Sequence, residues 1–447
     1  MSRKVSARSG KRVTRRQFLT AAGVGVAGAA ALKLAAPWEV GVAPAQIKGS
    51  TLRILTWSHF VPAYDTAFDK YAVDWGKANG VDVRVDHIPI DQLPARIASE
   101  LAAGAGHDIF QMNGQIQTTL YYSHMVDVSD ICDKLGKAGG GWLPMATNVA
   151  VVNGHWYALP EFYIPQPMMW RGDLWQQYNL PSPDTWDNLR KAARIGKSKG
   201  HPAGFAISHC NDANHNWRAV FYAYGVQETD ATGKELRWDS KALRDAMNFS
   251  KALWSEGMTS EVFSWDNVSD NRYLDSGVAV YIHDALSSLF SVETSNPKLF
   301  ASINAGVRGG EPKGPVRSAA VVDPTILGIW NFSKNQAAAR AFLEAYGGDV
   351  KFSLSASKGY NMPYLKAWYK KPMPGLSTHL PKLDLLQDWD KISLVFGYPG
   401  PATAPASEVL STFVVPDMIA RYCHGESLES SVKWGLGQIK SIYAKYK

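Results

Sequence analysis

The sequence predicts an α/β fold of two lobes, and three observations carry that expectation. A chain of 447 residues exceeds what one hydrophobic core normally serves. Its 46% apolar content suits a chain that is globular throughout. From residue 51 onward the apolar pattern runs strand, helix, strand, helix, strand, an order that builds a parallel sheet with helices on its faces. Ligands of such sheets bind beyond the carboxyl ends of the strands, so function is sought in the loops there.

Before the first strand, residues 1–45 read as an address. A basic start, Thr14-Arg15-Arg16-Gln17-Phe18-Leu19, an Ala/Gly-rich stretch and Ala43-Pro44-Ala45 follow one another. The pattern resembles a twin-arginine signal peptide, with a mature start near Gln46, export by the twin-arginine translocase and a periplasmic destination. As a membrane anchor the stretch is a poor span, because Lys33 and Pro37 interrupt it. No cysteine precedes Cys132, which argues against a lipid-modified N-terminus. Gly23, Gly25 and Gly28 match a dinucleotide fingerprint in form, but no strand precedes them.

The address also explains the charge. The formal net charge is +7, which alone would suggest a nucleic-acid partner. Of 47 basic and 40 acidic side chains, eight and one lie in residues 1–45, which leaves 39 of each sign beyond them. The remainder is formally neutral, so no nucleic acid is expected. Cys132, Cys210 and Cys423 allow one disulfide at most and are read as small apolar residues.

Residues 51–57 alternate as a strand, and Pro62 opens a helix carrying Tyr64, Phe68, Tyr71 and Trp75 at helical spacing. Gly80 stops it, and Val81, Val83 and Val85 alternate as a second strand. A helix with Leu93, Ile97 and Leu101 ends at Gly104 to Gly106, before a short strand at residues 108–110. Further strands are expected at 277–283 and 325–330, and helices from Trp186 to about Lys197, from Ala337 to Tyr346 and from Ser407 onward. No internal repeat and no long low-complexity linker interrupts the chain.

Several passages, in this order, resemble the bacterial extracellular solute-binding proteins typified by the maltose-binding and other sugar-binding proteins of ABC importers. They are residues 52–57, 93–112, 156–160, 170–174 with Pro183-Asp184-Thr185-Trp186, 277–283 and 333–343. Arg171-Gly172 departs from the family's usual asparagine and lysine, a difference of lobe packing more than of ligand capture. The resemblance implies the type II periplasmic binding-protein fold, two α/β lobes joined by three hinge crossings with the ligand cleft between them. It places crossings near Gly114, at 275–280 and at 319–325, so that residues 46–114 and 279–320 form one lobe and 115–278 and 321–447 the other. It implies a monomer that binds a small polar solute, expected to be a carbohydrate, and passes it to an ABC permease without catalysis, cofactor or metal.

A sugar offers hydroxyls at its edge and C–H patches on its faces, so its pocket uses aromatic rings and polar side chains together. Sixteen tryptophans are consistent with that need, though most belong to the core. Trp57 and His59 follow the first strand, where Trp57 either lines the cleft or packs under the next helix. Asn113 and Gln115 follow the third strand and either bind ligand or cap a helix. Glu161 and Tyr163 are placed in a loop after Leu159-Pro160, which the family uses for ligand contacts. Trp217 is placed in a polar loop before an apolar helix, free to stack on ligand or to pack. His283 and Asp284 end a strand, with a satisfied structural histidine as the alternative for His283. Asp323, Tyr360 and Asn361 complete the set.

Four other clusters carry rival readings. His209, Cys210, Asp212 and His215 have metal-ligating side chains, but their spacing matches no familiar site and a solvated loop is expected. Tyr121-Tyr122 resembles the paired tyrosines of ferric-ion binders, and core packing accounts for it more simply. Glu161 and Asp284 are the carboxylate pair that a secreted glycan hydrolase would need. A polyamine would call for acids around aromatics, and a glycerol phosphate for a cation such as Arg317.

Overall fold

The computed structural model describes residues 47–307, 310–370, 373 and 381–447. The stretch read as a twin-arginine signal peptide, with its expected cleavage site, lies outside the described residues. Among the described residues no helix is long and apolar enough to cross a membrane.

The alternating run Thr51–Trp57 forms β1, with Leu52 and Ile54 fully buried. Pro62–Asn79 follows as helix α1, with proline in its first turn and Gly80 closing it at φ 70°. Strand β2 (Asp82–Ile88), helix α2 (Leu93–Ala103) and strand β3 (Ile109–Asn113) complete the expected β-α-β-α-β unit. Both β2 and β3 pair in parallel with β1.

The chain does not leave this sheet at Gly114. Ala158–Ile164 (β4) also belongs to it, and the next strand, Met168–Arg171 (β5), lies in a separate three-stranded sheet. In that second sheet β5 is flanked antiparallel by β6 (Tyr281–His283) and β7 (Ile303–Ala305). The chain then returns as β8 (Asp323–Ile329), which inserts antiparallel between β3 and β4. The first sheet therefore runs β2-β1-β3-β8-β4.

Three expected boundaries are corrected by this pairing. Residues 158–164 and 323–329 join the first sheet, and the strand ending at His283 joins the second. The physical reason is range. A strand's alternation shows which face is buried but not which sheet it enters, since pairing partners lie far away in sequence. All seven residues of β8 are buried, as befits a strand covered on both faces.

Two apolar cores form. One surrounds the five-stranded sheet, with Ile54, Phe110, Leu327 and Trp330 among its fully buried members. The other gathers Trp186, Phe205, Trp217 and Met247. The three-stranded sheet stands between them, because strand alternation sends Met168 and Tyr281 into the second core and Met169 and Ile282 into the first.

Local readings are corrected too. Asn211–Ala223 is a helix, α3, and not a solvated loop, with Asp212 and His215 buried inside its first turns. Its polar side chains are claimed by distant partners: Asn214 Nδ2 donates to the Leu410 carbonyl at 3.0 Å, and Arg218 Nε donates to Glu228 Oε1 at 2.7 Å. Tertiary bonding thus outweighs the turn preference of an Asn-rich run. Glu161 and Tyr163 lie within β4, not in a loop, and Asp323 is the first residue of β8. The three cysteines are free and buried, as expected. Tyr121 is buried against Trp330, which is the packing role expected for it.

Candidate functional site

The carboxyl ends of the central strands and the starts of three helices converge on one buried region. β1 delivers Trp57 and then His59. The His59 ring accepts the Val61 N–H at Nδ1 (2.9 Å), so Nε2 carries the proton and donates it to Asn361 Oδ1 at 2.9 Å. Burial pushes His59 down to about 4 and keeps it neutral. Its ring lies 4.8 Å from that of Trp57 and 5.1 Å from that of Tyr360. Trp57, His59, Tyr360 and Asn361, separated by some three hundred residues of sequence, are thus brought together.

The opposite wall is acidic. Asp212 lies in the first turn of α3, Asp270 in the first turn of helix α4 (Ser269–Asp275), and Asp284 follows β6 just ahead of helix α5 (Ser287–Ser295). Their carboxylate oxygens lie within 4.8 Å of one another, and all three residues are buried. Ser288 Oγ donates to Asp284 Oδ2. Burial, then the charge of Asp323, pushes Asp212 up to about 7; Asp270 and Asp284 are raised by burial and by their acidic neighbours.

Asp323 faces this trio from the start of β8 and is itself pushed up to about 7 by burial. Its Oδ1 lies 3.8 Å from His215 Nε2. His215 donates from Nδ1 to the Asn211 carbonyl at 2.9 Å, and burial pushes it down to about 4, so Nε2 presents a lone pair. Asp323 Oδ1 and His215 Nε2 both lack a hydrogen-bond partner in the protein, as do Asp212 Oδ2 and Asp270 Oδ2. The Tyr360 phenol is raised by burial and then by the charges of Asp284, Asp323 and Asp212.

Among the other predicted residues Glu161 lines a pocket with Trp57 and His59, whereas Trp217, His283 and Tyr163 are bonded elsewhere within the protein. Trp217 is core: it is fully buried, donates from Nε1 to the Ala206 carbonyl at 2.8 Å and packs on Phe205. His283 is a satisfied structural histidine, with Nδ1 2.5 Å from Asn216 Oδ1 and Nε2 3.3 Å from Glu311 Oε2. Tyr163 is buried, with its phenol against that of Tyr369 at 2.5 Å. Asn113 donates to Thr325 Oγ1 at 2.7 Å, and Gln115 is half-buried beside it. Glu161 is partly buried, accepting from Gln111 Nε2 and from the Tyr346 hydroxyl, each at 2.6 Å; burial pushes it up to about 7. Arg317 is exposed and donates to the Tyr398 hydroxyl at 2.7 Å, away from the acids.

Sequence reasoning missed Asp270 altogether and saw Asp212 and His215 only as metal-type residues in a loop. The available signal was helical: Asp212 and Asp270 each sit in a first helical turn, where a carboxylate is favoured by the unpaired N–H groups.

Comparison with known proteins agrees with this architecture. The family described as bacterial extracellular solute-binding protein matches residues 61–350. Among solved structures, maltose-bound MalE3 of T. maritima has a TM-score of 0.74 at 20% identity, covering 88% of this chain and all of that one. A sugar transporter protein of Arthrobacter chlorophenolicus A6 with laminaribiose scores 0.73 at 19% identity, covering 88% of this chain and 99% of the other. A solute-binding protein of Agrobacterium radiobacter K84 in complex with ribitol scores 0.72 at 15% identity, covering 89% and 99%. The shared fold is that of the type II periplasmic binding proteins.

Proposed function

The chain belongs to the bacterial extracellular solute-binding proteins, and on that premise we propose that it captures a mono- or oligosaccharide in the periplasm and delivers it to an ABC permease. The observation that carries the reading is the convergence of Trp57, His59, Tyr360 and Asn361 on one side with Asp212, Asp284 and Asp323 on the other. Aromatic rings and buried acceptors in one place match the two kinds of surface that a sugar presents. Structures of the same fold holding maltose, laminaribiose and ribitol support a polyhydroxylated solute.

Lobe boundaries follow from sheet membership. One lobe is built on the five-stranded sheet and the other on the second core, with crossings at 165–167, 319–322 and 392–395. Ala320 and Val321 pair in parallel with Ser393 and Leu394, so two of these crossings lie side by side. Closure about them draws its energy from the ligand's higher affinity for the closed state. Export through the twin-arginine translocase and a monomeric state complete the reading.

Capture without turnover fits better than hydrolysis. Glu161, one member of the carboxylate pair that a hydrolase would use, is already engaged as an acceptor by Gln111 and Tyr346. The test is thermal unfolding of the purified protein against sugars and polyols. A ligand at 100 times its Kd stabilises by about 2.7 kcal/mol, a shift of several degrees. No shift with any carbohydrate contradicts the choice of solute.

A further inference from the structure

The acidic wall is more than a neutral sugar requires. A hydroxyl needs one acceptor, whereas here the oxygens of three carboxylates from three separate elements lie within 4.8 Å of one another. All three residues are at most 6% exposed, so solvent does not screen them. Among the described residues no lysine or arginine pairs with Asp212, Asp270, Asp284 or Asp323; the one basic side chain at hand is His215, 3.8 Å from Asp323 and presenting a lone pair.

A second observation points to a ligand there. Asp323 is not part of the trio and comes from the other sheet, yet it is 5% exposed, its Oδ1 has no hydrogen-bond partner, and its charge acts on Asp212. His215 Nε2 beside it is fully buried and equally without a partner. Unpartnered oxygens on α3, α4 and β8 and the His215 lone pair are thus gathered in one buried region, where only protons that the acids themselves retain, such as the one shared between Asp212 and Asp284, satisfy them. Burying such acceptors unpaired is costly, and one positive charge among them answers all of them together.

We propose that Asp212, Asp270 and Asp284, closed over by Asp323, hold a single cationic centre that enters the cleft with the solute. Two sources share this chemistry: a protonated amino group carried by the solute itself, as on an amino sugar or polyamine, and a hard divalent ion such as Ca2+, which takes all-oxygen ligand sets. The inference rests on the solute-capture reading and names the charge of what is captured. It also gives closure a cause. Asp212 stands on α3 in the second core and Asp284 follows a strand of the second sheet, whereas Asp323 opens a strand of the first, so a cation held among them ties the two sheets together.

The experiment is thermal unfolding and calorimetric titration of the full chain after dialysis against EDTA, in separate arms: CaCl2, MgCl2, spermidine, glucosamine, and the neutral N-acetylglucosamine and maltose. At least one cationic arm is expected to raise the melting temperature by several degrees. Binding of glucosamine or spermidine in EDTA assigns the charge to the solute, and a response confined to CaCl2 or MgCl2 assigns it to an ion. Asp270→Asn should weaken the active cation at least tenfold while its unliganded melting temperature stays equal or rises, and Asp212→Asn serves as the second variant. Silence of every cationic arm overturns the inference, as does binding that Asp270→Asn leaves unchanged. The neutral arms then decide separately whether solute capture survives.

Discussion

Glu161 shows how a single partly buried acid reports on the protein. Its pKa lies above the unfolded value of 4.5, at about 7, so the folded state holds its proton more tightly than the unfolded one. Its contribution is fully present below pH 4.5 and is lost as pH rises through 7. The groups facing it are Gln111, Tyr346 and, through Tyr346, Tyr64 at 2.5 Å, with His59 and His87 lining the same pocket. Unfolding by urea at pH 5 and pH 8 should show the unliganded protein weaker at pH 8. Glu161→Gln should remove part of that slope, on the order of 2 kcal/mol once solvent contact is discounted. The variant keeps its bonds if Tyr346 accepts from the new amide and donates to Tyr64; an unchanged slope contradicts the assignment.

Trp57 illustrates a residue whose two readings merge. It is 2% exposed, so it packs, and its ring also lies against that of His59 in the proposed site. Trp57→Ala should cost about 3 kcal/mol or more in unfolding free energy, together with solute affinity. Asn361→Ala is the cleaner probe. It removes the partner of the His59 Nε2 proton at an expected cost of about 1–3 kcal/mol, and a melting curve measures this directly. The cysteines, free and buried, should react with a thiol reagent only after denaturant is added.

At the scale of elements, the β-α-β-α-β unit was legible because each piece carries a local signal: alternation in β1, proline and glycine bracketing α1, and Gly104 at φ 59° after α2. What could not be read was placement. The 158–164 strand and the 323–329 strand are ordinary apolar runs until their antiparallel pairing puts them in one sheet. The site was legible to the same extent. Trp57, His59, Asp284, Asp323, Tyr360 and Asn361 follow or open elements at the sheet ends, whereas Asp270 gains meaning only when α4 packs beside β6 and α5. Trp217 failed because an Asn-rich stretch that looks like a loop is a helix held by long-range bonds. One junction joins the two levels. Gly114 has φ 68°, and a Cβ there would meet Asp323 Oδ1 at 2.8 Å. Gly114→Ala should therefore cost about 1–2 kcal/mol in a urea titration and weaken solute binding by displacing that carboxylate. Unchanged affinity would separate Asp323 from the site.

For the whole molecule, a formally neutral bulk and two apolar cores with a three-stranded sheet between them suit the proposed device of two lobes that close on a solute. Such a device binds and releases, and its output is a shape that a permease reads. The most direct test is calorimetric titration of the purified protein with a carbohydrate and amine panel, followed by chromatography of the recovered ligand. Saturable one-site binding with the ligand returned intact is the predicted result. Binding of none of these compounds, or recovery of a cleaved product, would contradict solute capture.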